Sequence, residues 1–323
     1  MDRISGQKKS IIDIFPEYMR QHWGRISEYT DGLQEIRLRA GREILLQIHG
    51  KEWFLDPAGV PVGERSMARY ISAEEIEDIF RHICSYSVYA FREEIRQGFL
   101  TLPGGHRVGL AGQVVLEDTG EGQEKRITHM KHIRYMNIRI AHQILGAADE
   151  ILPLLYEHGE LHNTLLIAPP CCGKTTMLRD LIRQISDGNR IAPGLNVAVV
   201  DERSEIAGSY LGIPQNDIGA RTDVLDGCPK LIGIMMLLRS MSPRVTAVDE
   251  IGSRAEAEAL MKAAYSGSRI LATIHGSCLE EIRKKEFLQD CIRQNLFGRY
   301  IILQKHQGTY RISGVYNGEL QPC

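Results

Sequence analysis

A strand, a loop and a helix that follow one another at residues 164–186 constrain the fold more than any other part of this sequence. The apolar run TLLIA leads into APPCCGKT at residues 168–175, and apolar residues then recur at helical spacing, at Met177, Leu178, Leu181, Ile182 and Ile185. The loop has the Walker A spacing, with alanine in place of the first glycine. Backbone N–H groups in such a loop, at the start of a helix, bind phosphates. We therefore predict a nucleotide-binding α/β domain.

Each part of this predicted phosphate loop, residues 168–175, has an expected role toward ATP. Gly173 lets the backbone approach the phosphates, Lys174 reaches the β and γ phosphates, and the Thr175 hydroxyl binds Mg²⁺. Alanine accepts the backbone geometry of the first position less readily than glycine, and a chance Gly-Lys-Thr that opens an ordinary helix is the alternative interpretation. We interpret Cys171 and Cys172 as loop residues whose thiols have no catalytic role. The predicted nucleotide contacts are Ala168, Pro169, Pro170, Cys171, Cys172, Gly173, Lys174, Thr175 and Thr176.

Two further strands end in acidic residues, which hydrolysis of a nucleoside triphosphate requires near the metal and the attacking water. VTAVDE ends in Asp249 and Glu250, 75 residues after Lys174, in the pattern of a Walker B strand. Asp249 is predicted to bind Mg²⁺ through water, and Glu250 to polarise the attacking water. The alternative is that the pair only caps the following helix.

A second acidic group follows the strand in NVAVVDERSEI, where Asp201, Glu202 and Glu205 lie close together in sequence. Ligands of an open parallel sheet bind beyond the carboxyl ends of its strands, so these acids should face the same crevice as the phosphate loop. Glu202 is predicted to be catalytic or linked to the metal, against the alternative of a solvated turn. The choice among the three acids stays open.

Other candidate residues lie at the end of a strand or in the connections. His275 ends the strand RILATIH, where a polar sensor of the γ phosphate would lie; a structural histidine is the alternative. Arg239 and Arg221 are the preferred candidates for an arginine that reaches a phosphate across a subunit interface, although a surface arginine more often forms a salt bridge.

The residues before the loop are predicted to form a smaller α+β domain. Strands are expected in IRLRAG and EILLQIHGKEWFL, then a helix capped by Ser72 and Glu75 with Ile76, Ile79, Phe80 and Ile83 on one face. A second helix is expected at residues 88–95, and a hairpin in HRVGLAGQVVLE and ITHMKHIRYMNIRIA, joined by residues 118–126.

The stretch AHQILGAADE is the predicted boundary, which gives domains at residues 1–145 and 146–323, and EILPLLYEHG after it is predicted to be helical. Beyond it, TLLIA, NVAVVD, RVTAVDE and RILATIH alternate with helical segments, as in a parallel α/β sheet. RYIILQK and TYRISGVY predict a terminal hairpin around Gln307-Gly308.

The amino-acid composition excludes some classes of protein and disfavours others. The 323 residues include 39 Lys and Arg against 41 Asp and Glu, and 43% are hydrophobic, which excludes a disordered chain and disfavours binding through bulk positive charge. The seven cysteines include no Cys-x-x-Cys pair, so a reduced, cytosolic compartment fits best. No apolar run reaches the ~18 residues of a membrane span. We expect neither export nor a membrane span, and no nucleic acid as a partner.

The order of these motifs resembles that of the hexameric secretion and pilus-motor ATPases. The resemblance rests on the loop, on VVDERSE, on LLRSMSPRVTAVDEIGSRAEAEAL and on AAYSGSRILATIHG, while LQEIRLRAGREILLQIHGK and LPGGHRVGLAG are similar to their amino-terminal domain. PPCCGKTTMLRDLIRQIS, VVDERSEIAG, ARTDVLDGCPK and RSMSPRVTAVDEIG resemble the stage III sporulation AA family of endospore-forming Firmicutes more closely, over nearly the whole chain.

The resemblance implies a RecA-like P-loop NTPase core with a smaller α+β domain, and a homo-hexamer. It also implies a cytoplasmic ATPase of the mother cell, peripheral to the membrane, that energises a secretion-like channel through membrane proteins of a sporulation complex. With ATP and Mg²⁺ as cofactors, we expect a ring that couples hydrolysis to domain motion. The amino-terminal domain would close on the nucleotide, and Arg107, Arg134 or Arg139 could supply positive charge there.

Two alternatives stay open. One is a nucleic-acid-stimulated motor on the same core, which the balanced charge disfavours because such a motor needs a basic path for phosphates. The other is a nucleotide-gated scaffold with little hydrolysis, which the paired acids disfavour because a scaffold needs no carboxylate to position water.

Overall fold

The computed structural model describes residues 11–118, 125–170, 172–306 and 309–323. The chain divides into two compact units, residues 1–142 and 143–323. The functional assignment of the two domains stays a prediction. Among the residues described, no helix is both long and apolar enough to span a membrane.

The first unit is built on a seven-stranded antiparallel sheet with the strand order β5-β4-β3-β1-β9-β8-β7, and β2 pairs separately with β6. Its strands are β1 (Leu33–Arg39), β2 (Arg42–Glu43), β3 (Leu45–Ile48), β4 (Lys51–Leu55), β5 (Pro61–Val62), β6 (Tyr70–Ile71), β7 (Phe99–Thr101), β8 (Arg107–Asp118) and β9 (Lys125–Arg139). The predicted β8–β9 pairing is confirmed. The middle of the predicted connection at residues 118–126 lies outside the described residues.

The helices of this unit follow their local sequence signals. α1 (Ala73–Ile83) begins with the predicted capping box, in which the Ser72 side chain accepts from the Glu75 N–H and the Glu75 side chain accepts from the Ser72 N–H. Its buried residues are the four predicted ones. The predicted second helix is shorter, because Val88–Phe91 is a 3₁₀ turn and only α2 (Arg92–Gln97) is α-helical. Other 3₁₀ turns cover Ile11–Ile14, Glu17–His22, Gly24–Tyr29 and Arg65–Met67.

The second unit is an α/β layer around a seven-stranded sheet with the order β14-β13-β15-β16-β12-β17-β18, parallel except for the final antiparallel pair. Its strands are β10 (Tyr156–Glu157), β11 (Glu160–Leu161), β12 (Thr164–Ala168), β13 (Val197–Asp201), β14 (Thr222–Asp226), β15 (Val245–Val248), β16 (Arg269–His275), β17 (Arg299–His306) and β18 (Thr309–Asn317). The four predicted parallel strands and the terminal hairpin are confirmed; Gln307-Gly308 lies outside the described residues.

Helices cover both faces of this sheet, as the continuous burial of its central strands requires. They are α3 (Lys174–Asp187), α4 (Lys230–Ser240), α5 (Arg254–Tyr265), α6 (Leu279–Arg283) and α7 (Gln289–Arg293), with 3₁₀ turns at Leu152–Leu155 and Glu286–Leu288. Successive residues of β12 point into opposite cores: Leu166 and Ala168 pack with the buried face of α3, whereas Leu165 and Ile167 pack with α4 and α5.

The helix predicted in EILPLLYEHG is wrong. Only Leu152–Leu155 forms a 3₁₀ turn, and Tyr156 then pairs with Leu161 in the β10–β11 hairpin. His158 and Gly159 close this hairpin with positive φ values of 51° and 81°, the left-handed geometry of a two-residue turn. The tight turn outweighs the helical spacing of the apolar residues.

Candidate functional site

The predicted phosphate loop connects β12 to α3, as the sequence indicates. Ala168 is the last residue of β12, fully buried and in register with His275 of β16. It lies in the regular parallel ladder, so this position takes alanine without needing the conformational freedom of glycine. Gly173 precedes α3 with a φ of 74°, which a side chain would strain. Pro170 is exposed, Cys172 is buried, and Cys171 lies outside the described residues.

Lys174 is folded back onto its own loop. Its Nζ donates to the carbonyl oxygens of Ala168 and Pro169, both at 3.1 Å. Thr175 and Thr176 follow in the first turn of α3, both half-buried. A cation, a hydroxyl and the amino end of a 14-residue helix therefore meet at the carboxyl end of β12.

The loop is joined to the end of β15 by side-chain hydrogen bonds. Thr175 Oγ1 donates to Asp249 Oδ2 at 2.7 Å, and Thr273 Oγ1 of β16 donates to Asp249 Oδ1 at 2.5 Å. The same Thr273 hydroxyl accepts from the backbone N–H of Glu250 at 2.8 Å. One buried threonine thus contacts both residues of the pair, through the Asp249 carboxylate and the Glu250 backbone. Glu250 itself is exposed and has a φ of 47°.

Asp201 at the end of β13 anchors the loop that follows it. Its side chain is 2% exposed and accepts from the backbone N–H groups of Glu205, Ile206 and Ala207 at 2.8–3.0 Å. Burial raises the pKa of the carboxyl to about 6, although the three N–H groups act in the opposite direction. The Asp201 carboxylate therefore binds the backbone of the loop that follows β13.

Arg179 of α3 holds the other side of the same loop. Its guanidinium donates to the carbonyl oxygens of Glu205 and Ile206 at 2.7 and 2.6 Å. Burial lowers the pKa of Arg179, and the charges of Asp201, Asp249 and Glu205 oppose this effect. The helix that begins at the predicted phosphate loop is in this way fastened to the segment after β13.

A cavity of about 390 Å³ opens between the ends of β13 and β15. Glu202, Glu250 and Asp249 all line it, together with Lys230 at the start of α4. We call it the acidic cavity, because six carboxylates and only two cations line it. Its lining residues are Val200, Asp201, Glu202, Arg203, Glu205, Lys230, Asp249, Glu250, Gly252, Ser253 and Glu256.

The remaining candidates, His275, Arg221 and Arg239, lie in different parts of the second unit. His275 ends β16 beside the loop, since the N–H of Gly276 donates to the Ala168 carbonyl at 3.2 Å. Arg221 lies just before the edge strand β14, at the amino end of that strand and not at the carboxyl end. Its guanidinium donates to the Ser186 carbonyl at 2.9 Å. Arg239 is exposed in the last turn of α4, about 14 Å along the helix from Lys230.

The three arginines suggested for the first unit have separate local partners. The Arg107 guanidinium lies 3.7 Å from the centre of the Phe99 ring. Arg139 lies 3.8 Å from Glu35 on the neighbouring strand β1, whereas Arg134 lies 4.0 Å from Glu77 of α1. Their predicted role toward a nucleotide stays a prediction.

Sequence reasoning missed several residues that hold the site together: Thr273, Arg179, Lys230, Ser253 and Glu256. The sequence contained a signal for Ser253 and Glu256, because these two residues have the spacing of a capping box. The box is present at the start of α5. Thr273 had a weaker signal, as a polar residue inside an otherwise apolar strand. Lys230 and Arg179 had none, because their partners are distant in sequence.

Comparison with solved structures assigns the class of fold. The chain is similar to the ATPase DotB of Legionella pneumophila, with a TM-score of 0.59 and 15% identity over 94% of this chain and 82% of that one. It is also similar to the pilus retraction motor PilT, with a TM-score of 0.56 and 16% identity over 90% of this chain and 80% of that one. The protein therefore has the α/β, RecA-like fold of the secretion ATPases.

Sequence comparison then gives the family. The model of the family described as sporulation stage III, protein AA, matches residues 5–321. Stage III sporulation protein AA of Bacillus subtilis (strain 168) is 39% identical over 308 residues, which are 95% of this chain and 94% of that protein. The chain belongs to this sporulation family, and the predicted resemblance is confirmed.

Proposed function

We propose that this protein is a Mg²⁺-dependent ATPase that acts as a motor for a membrane-associated complex during sporulation. The observation that carries the proposal is the 2.7 Å hydrogen bond between Thr175 of the predicted phosphate loop and Asp249 at the end of β15. It joins a phosphate-binding element to an acid at the edge where open parallel sheets bind their ligands. The similarity to a motor solved with bound ADP supports the same conclusion.

The residues present fit a magnesium–nucleotide complex. Mg²⁺ prefers hard oxygen ligands and is held in such sites by one or two side chains, water and the substrate phosphates. The hydroxyl of Thr175 and the carboxylate of Asp249 are oxygen donors of this kind, already adjacent. When bound, the ion would neutralise charge on the β and γ phosphates.

Each side chain of the site would then have a separate role in hydrolysis. Lys174 exchanges its two carbonyl partners for the β and γ phosphates, and the loop from Ala168 to Thr176 cradles them. Glu250, exposed on the wall of the acidic cavity, orients the attacking water, and Glu202 faces the same space. His275 lies beside the loop and senses the γ phosphate.

We further propose that the protein works as a homo-hexameric ring in the cytoplasm, at the membrane through partner proteins. Arg221 and Arg239 lie away from the predicted phosphate loop of their own chain, so either would act only on a neighbouring subunit's nucleotide. Light scattering with and without nucleotide tests the ring: we expect a hexamer mass, and a strict monomer under both conditions contradicts it.

The decisive experiment compares ATP hydrolysis and ATP binding by the wild type, Lys174→Ala and Glu250→Gln. We expect the wild type to hydrolyse ATP with Mg²⁺ and to lose activity with EDTA. Lys174→Ala should bind ATP poorly, because the loop loses its cation, whereas Glu250→Gln should bind ATP and fail to hydrolyse it. A wild type that binds ATP but hydrolyses it no faster than Lys174→Ala contradicts the motor and favours the scaffold.

Repeating the assay with single-stranded nucleic acid tests the other alternative. The proposal predicts no stimulation, because no excess of basic residues lies in the sequence. Strong stimulation of the wild type, absent in Glu250→Gln, would favour a nucleic-acid motor on the same core. Lys262→Ala is a suitable control throughout, since Lys262 is exposed on α5 and does not line the acidic cavity.

A further inference from the structure

Lys230 occupies an unusual place between the two acidic strand ends. It is the first residue of α4, and its side chain is only 12% exposed. Its Nζ donates to Glu202 Oε2, after β13, and lies 3.7 Å from Glu256 Oε1 of α5. One ammonium group thus bridges a residue of the β13 loop and a residue of the helix that follows β15.

The bridge reaches the loop that carries Glu250. The second carboxylate oxygen of Glu256 accepts from the backbone N–H groups of Gly252 and Ser253 at 2.8 and 3.1 Å. The Ser253 side chain in turn accepts from the N–H of Glu256 at 3.3 Å. Lys230 is therefore connected, through one side chain, to the two residues that follow Glu250 and Ile251.

The electrostatic setting makes this cation important. Lys230 is one of two cations against six carboxylates in the acidic cavity. Like charges that face one another across such a space repel, and a cation within ~4 Å favours their ionised forms. The charged and titratable groups around it are Asp201, Glu202, Arg203 and Glu205 after β13, Cys228 before α4, Asp249 and Glu250 after β15, and Glu256 of α5.

From this geometry we propose that Lys230 is a positioning residue that holds Glu202 and the Glu250–Ser253 loop in a fixed relation for ATP hydrolysis. The inference rests on the proposed function and adds a residue to it. Within the described residues, the side-chain partners of Lys230 are Glu202 and Glu256, and the described part of the predicted phosphate loop is not among them. Removal of Lys230 should therefore affect the hydrolytic step and leave nucleotide binding unchanged.

The test compares Lys230→Met, Lys230→Arg and the control Lys262→Met with the wild type. Methionine keeps the unbranched side chain as far as Cε and removes the ammonium group. We expect Lys230→Met to bind ATP with the wild-type Kd while kcat falls about 10-fold to 100-fold, the range seen when an outer partner of a site residue is lost. Lys230→Arg should recover part of kcat, and Lys262→Met should match the wild type.

The comparison of kcat with Kd, together with Lys230→Arg, separates positioning from a general loss of structure. A general loss of structure would weaken ATP binding as well as lower kcat, and restoring the charge with arginine would recover neither. An unchanged kcat in Lys230→Met overturns the proposal. A parallel loss of ATP binding, or no recovery of kcat in Lys230→Arg, also overturns it.

Hydrogen exchange tests the bridge even if the proposed function fails. A wild type that does not hydrolyse ATP disproves the ATPase, and backbone exchange then decides the role of Lys230. We expect the N–H groups of Gly252 and Ser253 to exchange about 2-fold to 5-fold faster in Lys230→Met than in the wild type, a change typical of one lost ion pair. Unchanged exchange at both residues overturns the bridge.

Discussion

Replacing Thr273 by valine removes one buried hydroxyl that joins two parts of the candidate site. The Thr273 side chain is 0% exposed, donates to Asp249 at 2.5 Å and accepts from the N–H of Glu250 at 2.8 Å. Valine has nearly the same shape, so the lost hydrogen bonds decide the cost. A hydrogen bond to a charged group contributes ~1.5–3 kcal/mol, and a donor left unpaired costs ~1–3 kcal/mol.

We expect Thr273→Val to lower the free energy of unfolding by about 3 kcal/mol. This value is toward the lower end of the combined range, because we expect water to replace the hydroxyl as the partner of the N–H of Glu250, an exposed residue. Thr246→Val is the matched control. Thr246 is also 0% exposed in the same sheet, but its hydroxyl shares a neutral hydrogen bond with Ser268, at 2.9 Å. Its loss should cost about 1 kcal/mol.

Urea unfolding followed by circular dichroism measures both variants against the wild type. The predicted difference between them is about 2 kcal/mol, which a shift of the urea midpoint at an unchanged m-value reports. Equal losses in the two variants would refute the reasoning, because they would show that the Asp249 carboxylate gains nothing special from the Thr273 hydroxyl. If only Thr273→Val also loses ATP hydrolysis, the same contact serves the site.

Three further predictions concern the segment after β13 and the cap of α5. Since burial raises the folded pKa of Asp201 from 3.8 to about 6, this group contributes stability below pH 4 that is lost as the pH rises through 6. The stability of the wild type relative to Asp201→Asn should therefore fall by up to ~3 kcal/mol between pH 4 and 7 in urea unfolding, and a flat difference contradicts this. Arg179→Met should lower the free energy of unfolding by about 2–4 kcal/mol, because two hydrogen bonds from a half-buried arginine are lost; an unchanged urea midpoint would exclude that role. Ser253→Ala should cost about 1 kcal/mol by the same assay, and Ser253→Gly less, since glycine is tolerated at a cap.

Local patterns explain which parts of the fold the sequence predicted. The capping box of α1 and the apolar face of α3 depend on residues three or four apart, and both are present. The four parallel strands are short apolar runs, three of which end in acidic residues or a histidine, and their bounds agree with the structure within two residues. The helix expected at residues 150–159 failed because a hairpin closed by His158 and Gly159 competes for the same residues.

The ties that hold the candidate site together could not be predicted in the same way. Thr273 and Asp249 are 24 residues apart, Lys230 and Glu202 are 28 apart, and Arg179 and Glu205 are 26 apart. Each of these hydrogen bonds joins two elements that are close in space only because of the strand order. That order does not follow the sequence, since β13 lies three positions from β12 in the sheet. A sequence pattern can assign residues to the carboxyl edge, but it does not give the order in which the strands meet there.

The acids after β13 show what the strand geometry adds to the sequence. Successive residues of a strand point to opposite sides, so neighbouring acids meet different surroundings. Asp201 is buried against three backbone N–H groups, whereas Glu202 faces the acidic cavity and Lys230. Asp201 cannot turn toward a metal ion or an attacking water without unpairing those N–H groups, at a cost of ~1–3 kcal/mol for each. Of these two neighbours, Glu202 is therefore the one that we propose to act in hydrolysis, since it faces the acidic cavity and is paired with a side chain there.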